Sequence, residues 1–411
     1  MKLGINGLGR IGKLTLWNHI ALRHFSEIVV NVGREVGTGF GDLIQHIEKD
    51  SSYGRLSSFL HGFNGKEVIA NVDEKAKTLT IDGIPVRFLM TARNPQDIGW
   101  KEAGVRVVVD CTGAFLDPTK PADAPGGSLR GHLEAGAEKV MISAPFKIKN
   151  KGLSTPDDSL TAVMGINDEM YDPSRHSVIS AASCTTTCLS YMMKPMLEHF
   201  GADQILSASM VTVHAATGSQ KVLDSVPKTG AADIRKSRSI QNNIILTTTG
   251  AAKALRLVLP EMGEIGFMAE SVRIPTSAGS LIILTVNLQS EERDNPINRS
   301  HINQIYRDAA QGPYQDFLVY TEGQNVSSDI IGFPKAAAVI EAKETHTRTA
   351  YTRVNLDKIP GLPPEVTKIL HSHTLEVPVT QTVIYGWYDN ELASYTNMLS
   401  ELTIHVSDQL L

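Results

Sequence analysis

The hexad Gly7-Leu8-Gly9-Arg10-Ile11-Gly12 constrains this chain most, because of what stands on either side of it. Leu3-Gly4-Ile5-Asn6 before it is an apolar strand. The stretch after it has helical spacing to about His24, and Ile28-Val29-Val30-Asn31-Val32 is a second apolar strand. Glycine-rich turns alone are common connections. Strand, turn, helix and strand in this order make a β-α-β unit of the kind that holds a dinucleotide. The glycines let backbone N–H groups and the helix N-terminus approach a pyrophosphate, whose charge the helix dipole favours.

Apolar runs at Val105-Arg106-Val107-Val108-Val109 and Lys139-Val140-Met141-Ile142, each followed by small or turn residues, continue a parallel-sheet pattern. The first half therefore predicts an α/β, Rossmann-type domain. After about residue 183 the strands lengthen, as in Ser207–Val213 and Ser280–Val286, with a Ser/Thr-rich, basic loop between them. That texture predicts a second, α+β domain built on a mostly antiparallel sheet. At 411 residues the chain exceeds one ordinary core, which also favours two domains. Residues 117–130 and 344–380 carry turn residues and little clear period, so they read as surface insertions.

Hydrophobic residues at 42% and charged residues at 20% fit a globular chain rather than a disordered one. A formal charge of −5 gives no global attraction to nucleic acid or to an anionic membrane, so an anionic ligand must be held locally. No apolar run is long enough to cross a bilayer, and Met1-Lys2 leads directly into the first strand without a leader pattern, so a cytoplasmic protein is expected. The three cysteines, Cys111, Cys184 and Cys188, are too few for a disulfide framework. Cys184 and Cys188, four apart, lack the second Cys or His pair of a zinc site, and no metal is expected.

Cys184 lies in Ser180-Ala181-Ala182-Ser183-Cys184-Thr185-Thr186-Thr187-Cys188, just ahead of a run with helical spacing, Leu189 to Phe200. A thiol at a helix start is expected to ionise readily, since the dipole and nearby N–H donors favour the thiolate. Ser and Thr there can cap the helix or hold an anion. Downstream, Thr212-Val213-His214-Ala215-Ala216-Thr217 ends a strand with a histidine. Imidazole can share a thiol proton and accept another near neutral pH, which makes Cys184 and His214 a candidate nucleophile and base. Spacing alone does not fix a contact between them.

Ten segments together resemble phosphorylating glyceraldehyde-3-phosphate dehydrogenase. They are INGLGRIGKL at 5–14, DSSYGR at 50–55, RNP at 93–95, CTG at 111–113, ISAP at 142–145, SAASCTTTCL at 180–189, TVHAAT at 212–217, TTTGAAKA at 247–254, RIPT at 273–276 and WYDNE at 387–391. They occur in the family's order across almost the whole chain. The resemblance implies a nucleotide-binding domain over 1–183, to which a C-terminal helix over 390–411 returns, and a catalytic domain over 184–389 with the 344–380 insertion inside it. It implies that Cys184 attacks an aldehyde to form a hemithioacetal, that His214 takes the hydroxyl proton as hydride leaves for a nicotinamide, and that phosphate releases the thioester as an acyl phosphate. Gly7, Gly9, Arg10, Ile11, Gly12, Gly33, Arg34, Arg93, Cys111, Thr112, Gly113 and Asn390 resemble the cofactor contacts. Ser183, Thr185, Ser219, Thr249 and Gly250 resemble the site of the attacking phosphate, with Lys236 where the family has an arginine. Thr217 and Arg273 resemble the clamp on the substrate's own phosphate. The implied partners are a small phosphorylated aldehyde, inorganic phosphate and three further copies in a homotetramer.

Several positions depart from the pattern. The acid that receives the adenosine ribose in NAD-dependent members falls at Gly33, with Arg34 beside it, so NADP or use of both cofactors is expected; Glu35 can serve the ribose only if the loop shifts. Lys236 is a point charge without arginine's fork, and Arg235 stands next to it as a substitute. Ala181 and Thr187 replace asparagines near the nucleophile, and the aromatic register after Asn390 slips by one, to Tyr395. Such changes suggest a divergent member, and leave open another phosphorylated aldehyde such as erythrose 4-phosphate, arsenate as acceptor, or a catalytically idle regulatory relative. Retention of Cys184, His214, Arg273 and Asn390 speaks against the idle reading.

Overall fold

The computed structural model describes residues 1–289, 297–369 and 372–410. The first strand, β1 (Lys2–Asn6), runs into helix α1 (Arg10–Leu22) and then strand β2 (Glu27–Asn31), with β1 and β2 paired in parallel. They lie in a nine-stranded sheet. On one side of β1 come Val105–Asp110, Lys139–Ile142, Val178–Ser180 and Ser159–Thr161, all parallel. Beyond β2 come Ile84–Leu89, in parallel, and then two antiparallel edge strands, Thr78–Ile81 and Ile69–Asp73.

Both faces of this sheet are covered, which is why its strands read as unbroken valine and isoleucine rather than as alternation. Leu14, Trp17 and Ile20 of α1 pack on one face with Leu399, Leu402 and Val406 of the C-terminal helix Asn397–Asp408. Trp100, Leu129 and Ala137 pack on the other against Val29, Val108 and Val140. A π-helical turn, Leu392–Thr396, leads into the C-terminal helix. The Asn18 amide of α1 donates to Thr396 Oγ1 (2.7 Å) and to the Leu392 carbonyl (3.2 Å), fastening the chain's end to its beginning.

The second sheet has eight strands, in the order Ile245–Thr247, Gly266–Ile274, Ile205–Ala215, Ser280–Gln289, Thr374–Tyr388, Ala338–Glu341 and Leu318–Thr321, with His346–Asn355 also paired to Thr374–Tyr388. It is mostly antiparallel, with parallel pairing between Ile205–Ala215 and Gly266–Ile274 and between Leu318–Thr321 and Ala338–Glu341. Its inner face alternates strictly: Ile282, Leu284, Val286 and Leu288 are fully buried beneath the helix Cys184–Gln204. The expected α/β domain with an α+β partner is the architecture found.

One expectation is corrected and another sharpened. Residues 344–380 are not a turn-rich insertion, because His346–Asn355 pairs along its whole length with Thr374–Val383. Most residues of His346–Asn355 are exposed, so no apolar face imposes the alternation by which strands are read. Residues 117–130 are exposed in the middle but anchored at both ends. Asp117, Ser128 and Leu129 are buried, and Arg130 forks onto Asp158 at 2.6 and 2.8 Å. The Asp117 carboxylate accepts from Thr119 Oγ1 (2.6 Å) and N (3.1 Å), so these turn residues organise a packed loop. Among the described residues no helix is long and apolar enough to cross a membrane.

Candidate active site

Helix Cys184–Gln204 begins at the nucleophile candidate itself. Ser183 is the N-cap, its hydroxyl accepting from Thr186 N at 3.1 Å, and Ala182 before it is held in the left-handed region (φ 52°). That sharp turn presents Cys184 at the first helical position. His214 stands near the end of strand Ile205–Ala215, and the two elements bring Cys184 Sγ to 3.4 Å from His214 Nε2. His214 Nδ1 lies 2.9 Å from the Ala215 carbonyl, and with the ring proton on Nδ1, donated to that oxygen, Nε2 faces the thiol as an acceptor. Arg273 pairs in register with His214 on the neighbouring strand. Its guanidinium lies against the imidazole at Nδ1 and donates to Ala215 O at 3.0 Å.

The electrostatics correct one expectation. Burial pushes the Cys184 thiol above its ordinary range, opposed by the Arg273 charge and by the Thr185 side-chain and backbone donors. The helix start therefore does not by itself ionise this thiol, because desolvation outweighs it. Burial and then Arg273 push His214 down to about 3. The resting pair is a thiol facing a neutral, proton-accepting imidazole.

Both groups open into a cavity of about 520 Å³, lined also by Ser183, Thr185, Thr249, Gly250 and Arg273. Gly250 caps a second helix, Ala251–Val258, so two helix N-termini converge here. Thr185 places its hydroxyl 3.0 Å from Tyr388 Oη. Thr217 and Ser219, expected in separate sites, join hydroxyls at 3.0 Å and lie outside this cavity's lining. Ser219 thus sits with the expected substrate-phosphate residue rather than with Thr249. Lys236 and Arg235 do not line the cavity either. Both are exposed on the turn Ile234–Ser237, and Arg235 is tied to Asp233 at 2.8 Å. The cations that do line it, besides Arg273, are Lys147 and Lys253, which sequence reading passed over. Lys253 had a signal, standing three residues after Gly250 inside TTTGAAKA. Ala181 and Thr187 are buried and do not reach the cavity, while Tyr395 directs its hydroxyl to the Ala182 carbonyl (3.4 Å).

The nucleotide residues gather at the C-terminal edge of the first sheet. Asn6, Gly7, Gly33, Arg34, Arg93 and Thr112 line a cavity of about 590 Å³. Gly9 and Arg34, with His46, line an adjoining one of about 440 Å³. The turn fits a dinucleotide: a Cβ at Gly12 would stand 1.9 Å from the Gly7 carbonyl, so only glycine allows the tight strand-to-helix approach. Gly33 has φ +71°, and a Cβ there would meet the Ala92 carbonyl at 2.9 Å. An acid at position 33 would be strained on this backbone, and Arg34 next to it lines both cavities. Arg93 Nε donates to Gly33 O at 3.3 Å and braces that loop. Gly113 also has positive φ, and Cys111 lies inward, its N–H donating to Asn6 O (2.8 Å) and its thiol pushed up to about 12 by burial.

Arg10 is tied by its side chain. Its guanidinium is engaged by Asp50 and Glu391, so what it and Ile11 present to a ligand is the backbone at the start of α1. Asn390, buried next to Glu391, accepts from Ser280 Oγ at 3.1 Å, and Ser280 accepts from Ala215 N at 3.1 Å. On its other flank Asp389 accepts from Tyr53 Oη at 2.7 Å. The DSSYGR and WYDNE segments thus hold Asn390 from both sides, next to the strand that carries His214.

Comparison with known proteins places the chain in a family. The family description "Glyceraldehyde 3-phosphate dehydrogenase, NAD binding domain" matches residues 1–118, and its C-terminal domain matches residues 183–359. Similar proteins include glyceraldehyde-3-phosphate dehydrogenase 2 of Streptomyces avermitilis, 34% identical over 100% of this chain and 99% of its own length. The glyceraldehyde-3-phosphate dehydrogenases of Streptomyces coelicolor and Geobacillus stearothermophilus are each 36% identical, again over 100% of this chain and 99% of theirs. The chain belongs to the glyceraldehyde-3-phosphate dehydrogenase family.

Proposed function

We propose that this protein carries out the reversible oxidative phosphorylation of glyceraldehyde 3-phosphate to an acyl phosphate, with Cys184 as nucleophile. The observation that carries the reading is the 3.4 Å contact between Cys184 Sγ and His214 Nε2 inside a cavity with Arg273. His214 takes the thiol proton as sulfur attacks the aldehyde carbon, passes it to the carbonyl oxygen to give the hemithioacetal, and takes it back from that hydroxyl as hydride leaves. A nicotinamide dinucleotide, when bound along the Gly7–Gly12 turn, supplies the hydride acceptor. The thioester on Cys184 is opened by phosphate, restoring the thiol. Arg273, with Thr217 beside Ser219, is proposed to hold the substrate's phosphate; Ser183, Thr185, Thr249 and Gly250 are proposed to receive the attacking one. Residues 1–183 with the helix returning from 390–411 form the nucleotide unit in this reading, and 184–389 the catalytic unit. Assembly into homotetramers has support in exposed apolar residues on the strands of the second sheet, Met268 at 63% and Leu246 at 55%.

The test is rapid mixing with glyceraldehyde 3-phosphate and dinucleotide but no phosphate. About one equivalent of reduced cofactor per site is expected, followed by arrest until phosphate is added. Continuous turnover without phosphate, or no burst with turnover only on a different aldehyde, overturns the reading.

For the cofactor we infer acceptance of NADP, because Arg34 borders both nucleotide cavities and Gly33 leaves no carboxylate to repel a 2′-phosphate. Arg34→Ala is expected to raise KM for NADP about tenfold, roughly one charge-assisted hydrogen bond, with KM for NAD little changed. An unchanged ratio of the two KM values contradicts the assignment.

A further inference from the structure

We propose that Lys253, with Lys147, holds the attacking oxyanion in this protein, the task that the resemblance gives to Lys236. The inference rests on reading Cys184 as the thioester-forming nucleophile, and goes beyond it by naming the cations that serve its release.

The residues lining the cavity at Cys184 include three cations, Arg273, Lys147 and Lys253, and no carboxylate. Two phosphate groups, one on the substrate and one attacking, bring more negative charge than Arg273 alone offsets, and Arg273 is already packed against His214. The residues placed for the second charge are on Ala251–Val258. Thr249, Gly250 and Ala251 line the cavity at this helix's N-terminus, and Lys253 stands in its first turn. An anion there meets the helix dipole and an ammonium from one element. Lys147 lines the same cavity from the segment after strand Lys139–Ile142. Both lysine side chains are exposed, so each can swing over an incoming anion. Lys236 is on the turn Ile234–Ser237, apart from this lining.

A lysine pair is a less exacting clamp than an arginine fork, because an ammonium is a point charge with three donors and no fixed plane. The site should therefore tolerate tetrahedral oxyanions of somewhat different size, and depend on charge more than on shape.

The experiment uses the full-length protein, Lys253→Met, the double variant Lys253→Met/Lys147→Met, and Lys236→Met as the rival. The first readout needs no turnover: the rate of Cys184 alkylation by anionic iodoacetate divided by that by neutral iodoacetamide. The ratio is expected to fall about threefold or more in the double variant and to hold in Lys236→Met. The second is the inorganic phosphate concentration at half-maximal rate, expected to rise about tenfold in Lys253→Met while the phosphate-free burst of reduced cofactor persists. An unchanged ratio and an unchanged phosphate requirement in the double variant overturn the proposal, as does a rise confined to Lys236→Met. Loss of the burst in the unaltered protein would instead sink the reading of Cys184, while the alkylation ratio would still report on the lysines.

Discussion

Cys184→Ser is expected to lower kcat on the order of 10⁴-fold or more while leaving the melting temperature and dinucleotide binding essentially unchanged. The substitution exchanges one atom at a first-turn position whose cap, Ser183 Oγ on Thr186 N, does not involve the side chain. A serine hydroxyl is far harder to ionise than a thiol, so the imidazole that takes the proton of Cys184 removes that of a serine far less readily. An oxygen ester, moreover, keeps less of the oxidation energy for acyl transfer than a thioester. Steady-state rates paired with a thermal melt check this. A loss under tenfold means that another group does the chemistry, and a fall in melting temperature of many degrees means that Cys184 is chiefly a packing residue.

His214→Asn is expected to cost about 10²- to 10⁴-fold in kcat, the range of a positioned acid–base group, with a much smaller change in substrate KM. The pH behaviour carries a sign. A histidine whose pKa is pushed down to about 3 is neutral across the whole working range, so its protonation sets no acid limb near neutrality in the free protein. The thiol, raised by burial, does set the limb. Alkylation of Cys184 by iodoacetamide should therefore keep accelerating as pH rises above neutral. In Arg273→Gln the limb should move further up, since the guanidinium is the charge that pulls the thiol down. A limb centred below neutral pH, or one that moves down in Arg273→Gln, contradicts this electrostatic account.

What could be read from the sequence follows from how local each signal is. The β1–α1–β2 unit shows because its apolar runs and glycines are contiguous, and because a sheet buried on both faces leaves whole strands apolar. Cys184 at a helix start and His214 near a strand end show for the same reason, but their contact joins positions 30 residues apart and needed the fold. The hairpin His346–Asn355 with Thr374–Tyr388 did not show, since its outer half has no buried face to imprint a period. The ion pair of Arg10 with Glu391 did not show, because the two are 381 residues apart and no local pattern reports that a guanidinium is engaged. The cations lining the cavity at Cys184 show the same limit. A basic loop draws attention to Lys236, whereas reaching the cavity is decided by the helix Ala251–Val258 that carries Lys253. Gly33 yielded half its meaning in sequence, as a missing acid. Its positive φ and the Ala92 carbonyl supply the other half, that a side chain there would be strained.

The central claim is a thioester on Cys184, and intact-protein and peptide mass spectrometry test it most directly. The protein is mixed with glyceraldehyde 3-phosphate and dinucleotide without phosphate, and quenched in acid. The account predicts one acyl adduct per chain, on the peptide that carries Cys184, which disappears when phosphate is added before the quench and is absent from Cys184→Ser. An adduct on Cys111 or Cys188, or full reduction of the cofactor with no acylated cysteine, would contradict it.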